Sequence, residues 1–403
     1  MIGLADIEQA RVRIGGVVKN TPCLASGTFS RELGVHLHFK YETLQLTGSF
    51  KVRGAYNKIS SLPRQEVERG VITASAGNHA QGVAFSASQA GVPSTIVMPR
   101  TTPLIKIENT RRLGGRVVLA GEIFDEAYEE ARRLEAEQGL AFIHPFEDEQ
   151  VMAGQGTIGL EILEQTPEAE VVVVPIGGGG LISGIATAVK ERQPSVRIYG
   201  VQTEAAPAMA ESFRAGLVVT APAVRSVADG IAVKRPGERS FEYVRRYVDD
   251  VVTVSEEEIR AAIIRLLESG KAVTEGAAAA AFAAVAGGHL ADLAGRHVVV
   301  VLSGANIDVA LLARIIERSL VESRRLFRFR THVPDRPGAL AEMLEVIARH
   351  GGNVVRIHHD RVFMHAGFWE AQLDVTLETR NEKHIEELRQ GLKAGGYEVE
   401  QPD

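Results

Sequence analysis

The chain holds a single cysteine, Cys23, among its 403 residues, so no intramolecular disulfide framework staples it and a reducing, cytoplasmic setting is expected. It has no run approaching the ~20 apolar residues of a membrane-spanning helix. Its first residues, Met1-Ile2-Gly3-Leu4-Ala5-Asp6, lack the basic stretch and apolar run of a secretory leader, and no membrane association is expected. Positive charge is not in excess either: 45 Lys and Arg stand against 51 Asp and Glu, a net charge of −6, so no general attraction to nucleic acid is expected. Low-complexity segments are missing as well. What remains is a chain of 45% hydrophobic and 24% charged residues, the balance of a protein with a buried core, and at this length two or more domains are expected.

From about residue 65 to 320, short β-branched runs alternate with amphipathic helical stretches. Val71–Ala74, Ser94–Met98 and Arg116–Leu119 read as strands, and Ala80–Ala90 as a helix stopped by Gly91. A second helix carries Phe124, Tyr128, Ala131 and Leu134 on one face, with Gly139 where a helix end favours a left-handed residue. Val171–Val174 and His297–Leu302 are nearly continuous apolar runs, as parallel strands buried on both faces require. After the strand Val251–Val254, Ser255 and Glu258 form a capping-box signature. The alternation implies an open α/β sheet wound on both sides. After residue 323 the pattern changes. Arg324-Arg325 reads as a linker, followed by strand (Leu326–Val333), helix (Leu340–Ala348), strand (Asn353–His358), strand (Ala371–Glu378), helix (Ile385–Leu392) and a short strand (Tyr397–Glu400). That βαββαβ order is ferredoxin-like.

Four segments carry chemistry. A lysine taken at random is a solvated surface group, but Lys51 in Thr47-Gly48-Ser49-Phe50-Lys51-Val52-Arg53-Gly54 follows an aromatic and sits among small residues, which favours a desolvated amine of lowered pKa. Ser75-Ala76-Gly77-Asn78-His79 falls between a strand and a helix, where backbone N–H groups favour an anion such as a carboxylate. Without a ligand the same five residues are an ordinary N-terminal turn. Gly177-Gly178-Gly179-Gly180-Leu181 also joins a strand to a helix. Its glycines let successive amides approach one phosphate, and the absence of a Walker lysine excludes a nucleotide triphosphate loop. Ser303-Gly304-Ala305-Asn306 follows the strand ending at Leu302 and places a hydroxyl at a strand terminus. All four are expected on one sheet edge, around one pocket.

With these motifs, "TGSFKVRGA", "SAGNHAQGVA", "GGGGLISG" and "LSGANID", the chain over residues 5–320 resembles the fold-type II pyridoxal-phosphate enzymes, the tryptophan synthase β-like fold, and within them the threonine dehydratases (threonine ammonia-lyases). The resemblance implies an α/β catalytic part, 1–323, of two open sheet subdomains. It implies that Lys51 forms the Schiff base with pyridoxal 5'-phosphate beside Phe50 and that Asn78 hydrogen-bonds the ring oxygen. The amides of Gly177, Gly178, Gly179, Gly180 and Leu181 would hold the phosphate, Ser303 would meet the pyridine nitrogen, and Gly230 would approach the ring. Ser49, Ser75, Ala76, Gly77, Asn78 and His79 would lie about the substrate, with Lys51 and Ser75 as catalytic side chains. Serine racemases of this family carry a serine at the position of Ala76, and place acids where Gln202 and Ala208 stand here, so elimination rather than racemisation, and no metal site, is expected. The C-terminal part, 324–403, resembles an ACT domain through Val333-Pro334-Asp335-Arg336-Pro337-Gly338-Ala339-Leu340.

The reaction so implied converts L-threonine to 2-oxobutanoate and ammonia, and L-serine to pyruvate, in isoleucine biosynthesis or threonine catabolism. An amino acid such as isoleucine or valine would bind the ACT domain, in a homodimer or homotetramer. A serine-preferring dehydratase, a serine racemase-like enzyme and a non-catalytic amino-acid sensor are the alternatives. The intact Lys51 weighs against the last.

Overall fold

The computed structural model describes residues 1–222, 225–361 and 369–400, and divides into two compact units, 1–307 and 308–403. The first unit holds two sheets. The larger contains β1 (Cys23–Ala25), β2 (His36–Tyr41), β7 (Val171–Pro175), β8 (Arg197–Thr203), β9 (Asp250–Val254) and β10 (His297–Leu302), in the order β1-β2-β10-β7-β8-β9. The smaller contains β3 (Val71–Ala74), β4 (Ser94–Met98), β5 (Arg116–Leu119) and β6 (Ala141–Phe142), in the order β5-β4-β3-β6. Every pairing is parallel except that of β1 with β2.

The valine runs lie where two buried faces demand them. Val298, Val299 and Val300 pair in register with Val171, Val172 and Val173. Val172, Val174, Val299 and Val301 pack with Ile182, Ile185 and Val189 of the helix Gly180–Arg192. The helix Gly276–Ala286 runs against the same strands and is buried from Gly276 to Val285, which its row of alanines permits.

One sequence expectation is corrected here. The four motif loops do not share one sheet edge: the Ser75 loop leaves β3 of the smaller sheet, whereas the tetraglycine and Ser303 loops leave β7 and β10 of the larger. Periodicity identifies strands but carries no information about which strands pair.

The helix Lys51–Ser61 is set by two contacts with the helix Glu149–Gln165. A Cβ at Gly54 would stand 2.6 Å from the Val151 carbonyl oxygen, and one at Gly154 would stand 2.5 Å from the Arg53 carbonyl oxygen, so the backbones touch where side chains are missing. Beside this crossing lies a buried charge network. Arg53 donates to Glu42 (2.8 Å) and Glu161 (2.6 Å), and Lys40 donates to the other oxygen of Glu161 (2.6 Å). Burial raises the Glu42 carboxyl, but the Arg53 charge and the hydrogen bonds from Arg53 and Thr21 outweigh it and hold the group below its usual range. Two cations balance two anions out of water, which ties Lys51's helix to β2 and to the helix Glu149–Gln165.

The second unit opens with the helix Val309–Glu322, then a sheet of β11 (Leu326–Pro334), β12 (Asn353–Asp360) and β13 (Glu370–Glu378), antiparallel in the order β11-β13-β12. Alternate residues Phe327, Phe329, Leu373, Val375 and Leu377 face a core completed by Met343 and Ile347 of the helix Ala339–Arg349 and Leu388 and Leu392 of the helix Glu382–Ala394. The fourth strand expected over Tyr397–Glu400 is reduced to one bridge between Glu400 and Arg330. Tyr397 is held back by its N–H to the Leu392 carbonyl (3.0 Å), so only Glu400 reaches the ladder.

Candidate active site

Lys51 owes its place to the residue pair before it. Ser49 bridges to Gly304, and the Phe50 N–H donates to the Ser303 carbonyl (3.1 Å), so the loop after β10 delivers Ser303 next to the lysine. The helix Asn78–Gln89 presses on the other side: a Cβ at Gly82 would lie 3.2 Å from that of Lys51. The Lys51 ammonium donates to the Pro145 carbonyl (2.8 Å) and lies 5.2 Å from the centre of the Phe50 ring. Burial lowers its pKa to about 8, against a smaller opposing pull from the Glu275 carboxylate.

The tetraglycine turn meets Lys51 through the segment His144-Pro145-Phe146. A Cβ at Gly178 would fall 2.4 Å from the Phe146 ring, and one at Gly180 2.8 Å from Phe146 Cα, while Gly179 has φ +103°. Gly177 packs against Gly230, whose carbonyl oxygen would be 3.2 Å from a Cβ at 177. No side chain caps the helix that begins at Gly180, so its first N–H groups and the positive end of its dipole face the turn. The helix that begins at Asn78 is likewise uncapped by a side chain, with Gly77 before it. Ser75 Oγ accepts from the Gly77 N–H (3.2 Å), and Ala76 is half-buried against the core of the smaller sheet.

Asn78 is engaged at both ends. Its Nδ2 donates to Glu275 Oε1 and Oε2 (2.8 and 2.9 Å), and its Oδ1 accepts from Asn306 Nδ2 (2.7 Å). Burial raises the Glu275 carboxyl to about 7; the Asn78 hydrogen bond, Lys106 and the Asn306 backbone N–H oppose this, and Asp229 reinforces it.

His79, expected about the substrate, is buried at 3% exposure. Burial, with the Lys51 charge second, lowers its pKa to about 3, so the ring is neutral. Its Nε2–H therefore donates to the Ile143 carbonyl (2.9 Å), and Nδ1 is left without a hydrogen-bond partner among the described residues. His144 is neutral for the same two reasons, at about 4, and its Nδ1 accepts from the N–H groups of Phe146 and Glu147 (3.2 and 2.8 Å), which shapes the Pro145-Phe146 turn against the glycines.

Reading the sequence missed Glu275, His144, Pro145 and Phe146, and quoted Asn306 without a role. A lone carboxylate directly before the apolar stretch Gly276–Ala286 was a usable signal for Glu275, since nothing in that helix accounts for it. The Pro145 carbonyl had none. Gln202, where the resemblance to racemases would place an acid, is engaged at both ends of its amide: Oε1 accepts from the Met209 and Ala210 N–H groups (2.8 and 2.9 Å), and Nε2 donates to the Ile176 carbonyl (3.3 Å).

These residues fit pyridoxal 5'-phosphate. A lysine amine of lowered pKa, a glycine turn at an uncapped helix start, and the nearly buried Ser303 adjoin one another. The Ser49 hydroxyl, fully buried, has no hydrogen-bond partner among the described residues.

In the C-terminal unit, the helix Ala339–Arg349 begins after Gly338, at φ +92°, with no side-chain cap. Arg336 of the same loop pairs with Glu342 (2.9 Å).

Comparison with known proteins agrees with this geometry. The family described as pyridoxal-phosphate dependent enzyme matches residues 14–304, and the ACT domain family matches residues 327–393. An L-threonine ammonia-lyase of Thermotoga maritima is 51% identical over 399 residues, 99% of either chain. Among solved structures, threonine deaminase isoform 2 from Solanum lycopersicum superposes with a TM-score of 0.74 at 41% identity, covering 78% of this chain and 93% of that one. Maize serine racemase superposes with a TM-score of 0.75 at 35% identity, covering 80% and 99%. The chain belongs to the pyridoxal-phosphate-dependent enzymes, in the threonine ammonia-lyase family, with an ACT domain at its C-terminal end.

Proposed function

We propose that the chain deaminates L-threonine to 2-oxobutanoate and ammonia, with Lys51 as the residue that carries the cofactor and moves the Cα proton. The observation that carries this reading is the Lys51 amine, with its pKa lowered to about 8, between the Ser303 loop and the turn that meets the tetraglycine. Near neutral pH part of such an amine is free base, which a proton acceptor must be. When bound, the cofactor supplies an electron-withdrawing ring that stabilises negative charge on the substrate's Cα. In our reading the N–H groups of Gly177–Leu181 hold its phosphate, Gly230 lies along the ring, and Ser303 offers the ring nitrogen a neutral partner. The uncapped start of the helix Asn78–Gln89, with Ser49, Ser75 and Gly77, receives the substrate carboxylate. The Phe50 ring flanks the Lys51 amine, and the buried, neutral His79 lends no charge of its own. Ala76 brings no proton donor to the face where racemases carry serine, which favours loss of the β-hydroxyl.

L-Serine is a second substrate in this reading, yielding pyruvate, because a pocket separates the two amino acids by one methyl group, worth roughly 1–3 kcal/mol. We place the working boundary at the turn Ser323-Arg324, with a regulatory part beyond it that binds an amino acid, isoleucine or valine, at the helix start after Gly338. The assembly is a homodimer or homotetramer in the cytoplasm, in isoleucine biosynthesis or threonine catabolism. The test is oxoacid production from L-threonine and from L-serine, each with and without isoleucine and valine. No ammonia or oxoacid from either substrate, with cofactor bound, refutes the catalytic reading. A higher kcat/KM for serine refutes the substrate preference.

A further inference from the structure

We propose that Glu275 is a positioning residue for this site: its carboxylate grips the Asn78 carboxamide and fixes the angle at which Asn78 meets the cofactor ring. Three observations carry the idea. Glu275 stands at the N-cap of the helix Gly276–Ala286, yet its side chain caps nothing there. It is 6% exposed and turned inward, so solvation does not account for the carboxylate either. Its Oε1 sits beside groups assigned to the cofactor: it bonds Asn78, and would lie 3.9 Å from a Cβ at Gly230 and 2.6 Å from one at Gly304, the residue after Ser303.

The orientation of Asn78 follows from a chain of donors with one outcome. The Thr47 carbonyl can only accept, so the Asn306 atom 2.7 Å away is Nδ2. The second N–H of that amide reaches Asn78, which makes the atom 2.7 Å away Oδ1. Nδ2 of Asn78 is thereby turned to Glu275. The two Glu275 oxygens subtend only about 45° at Nδ2, against the ~120° between its two N–H bonds, so one N–H serves both oxygens and the other remains for the cofactor. An asparagine χ2 is otherwise broad, and without Glu275 the carboxamide is held at Oδ1 alone. The charged groups facing Glu275 are Lys51 from the helix Lys51–Ser61, Asp229 from the turn Asp229–Ile231 and Lys106 from the helix Leu104–Arg112.

This inference rests on the reading that Asn78 faces the cofactor. Its test uses holoenzyme carrying Glu275→Gln, Asn78→Ala, or both, with three readouts: the visible absorbance of the cofactor on Lys51, cofactor affinity by titration of the apoenzyme, and kcat on L-threonine. Glu275→Gln is expected to shift the visible band and lower kcat about tenfold, the scale of one charge-assisted hydrogen bond, with KM nearly unchanged. In the Asn78→Ala background the same substitution is expected to add less than about twofold, because Glu275 acts through Asn78. Additive losses in the double variant overturn the proposal, as does a Glu275→Gln enzyme with the parent's band, cofactor affinity and kcat. If Glu275→Gln fails to fold, Glu275→Asp retains the charge but draws the oxygens back from Asn78. The same spectral shift supports the proposal and an unshifted band overturns it. An Asn78→Ala enzyme with the parent's spectrum instead refutes the placement of Asn78, which separates the two failures.

Discussion

Replacing Gly178 with alanine puts one methyl group against the Phe146 ring. The new Cβ would lie 2.4 Å from both Cγ and Cδ2 of Phe146. Carbon atoms rest at about 3.5–4.0 Å, so ring or turn must give by roughly 1 Å or more. The ring has little room, because it stands edge-on to His144 at 4.8 Å and its own backbone touches Gly180. Overpacking of this kind costs about 1–3 kcal/mol. If the turn yields rather than the ring, the amides of Gly177–Leu181, which we propose hold the cofactor phosphate, move apart and the cost is expected to appear as lost cofactor affinity, about 5- to 150-fold in Kd. Titrating apoenzyme with pyridoxal phosphate measures it. Adding Phe146→Ala to the Gly178→Ala enzyme removes the obstacle and is expected to recover most of the affinity. A Gly178→Ala enzyme that binds within twofold of the parent and melts at the same temperature refutes the reasoning, as does a double variant no better than the single.

Lys51→Ala is expected to abolish the visible absorbance of the lysine-bound cofactor and turnover together; a variant that keeps the band refutes the assignment of the amine. Glu161→Gln leaves Lys40 and Arg53 with only Glu42 to balance them, and urea unfolding should show a loss of about 3–5 kcal/mol. Replacing Lys40 and Glu161 together by methionine restores the charge balance and should cost less; a double variant worse than the single contradicts this. His79 sits at about 3 in the folded chain against 6.5 when exposed, so the unfolded chain binds the extra proton between those values. Stability from its neutral ring is full above pH 6.5 and is lost as pH falls toward about 3, by at most roughly 5 kcal/mol. Glu275 works in the opposite sense, losing stability as pH rises from 4.5 to about 7, so the His79 share is read by comparing urea midpoints of parent and His79→Gln across pH 4–7. Equal slopes in the two proteins would falsify it.

Strand and helix identities followed from local patterns because burial on both faces permits little besides valine and isoleucine, as in Val171–Val174 and Val298–Val301. The glycine turn and the lysine were legible for a similar reason: their chemistry needs missing side chains or a particular amine within a few consecutive residues. The last strand of the C-terminal unit was overread, because the alternation of apolar and acidic residues over Tyr397–Glu400 says nothing of the Tyr397 N–H already held by Leu392.

Taken alone, then, the amino-acid order determined the class of fold and the two-part organisation, and it pointed to the segments we propose offer an amine, an anion site and a hydroxyl. Tertiary structure decided which sheet each segment leaves. It also brought Glu275 to Asn78 across 197 positions and set Phe146 in the glycine turn. The physical reason is range. Propensity, periodicity and helix-end chemistry act within a turn or two of chain, whereas strand pairing and the burial of a lone carboxylate depend on partners that only the packed core brings together.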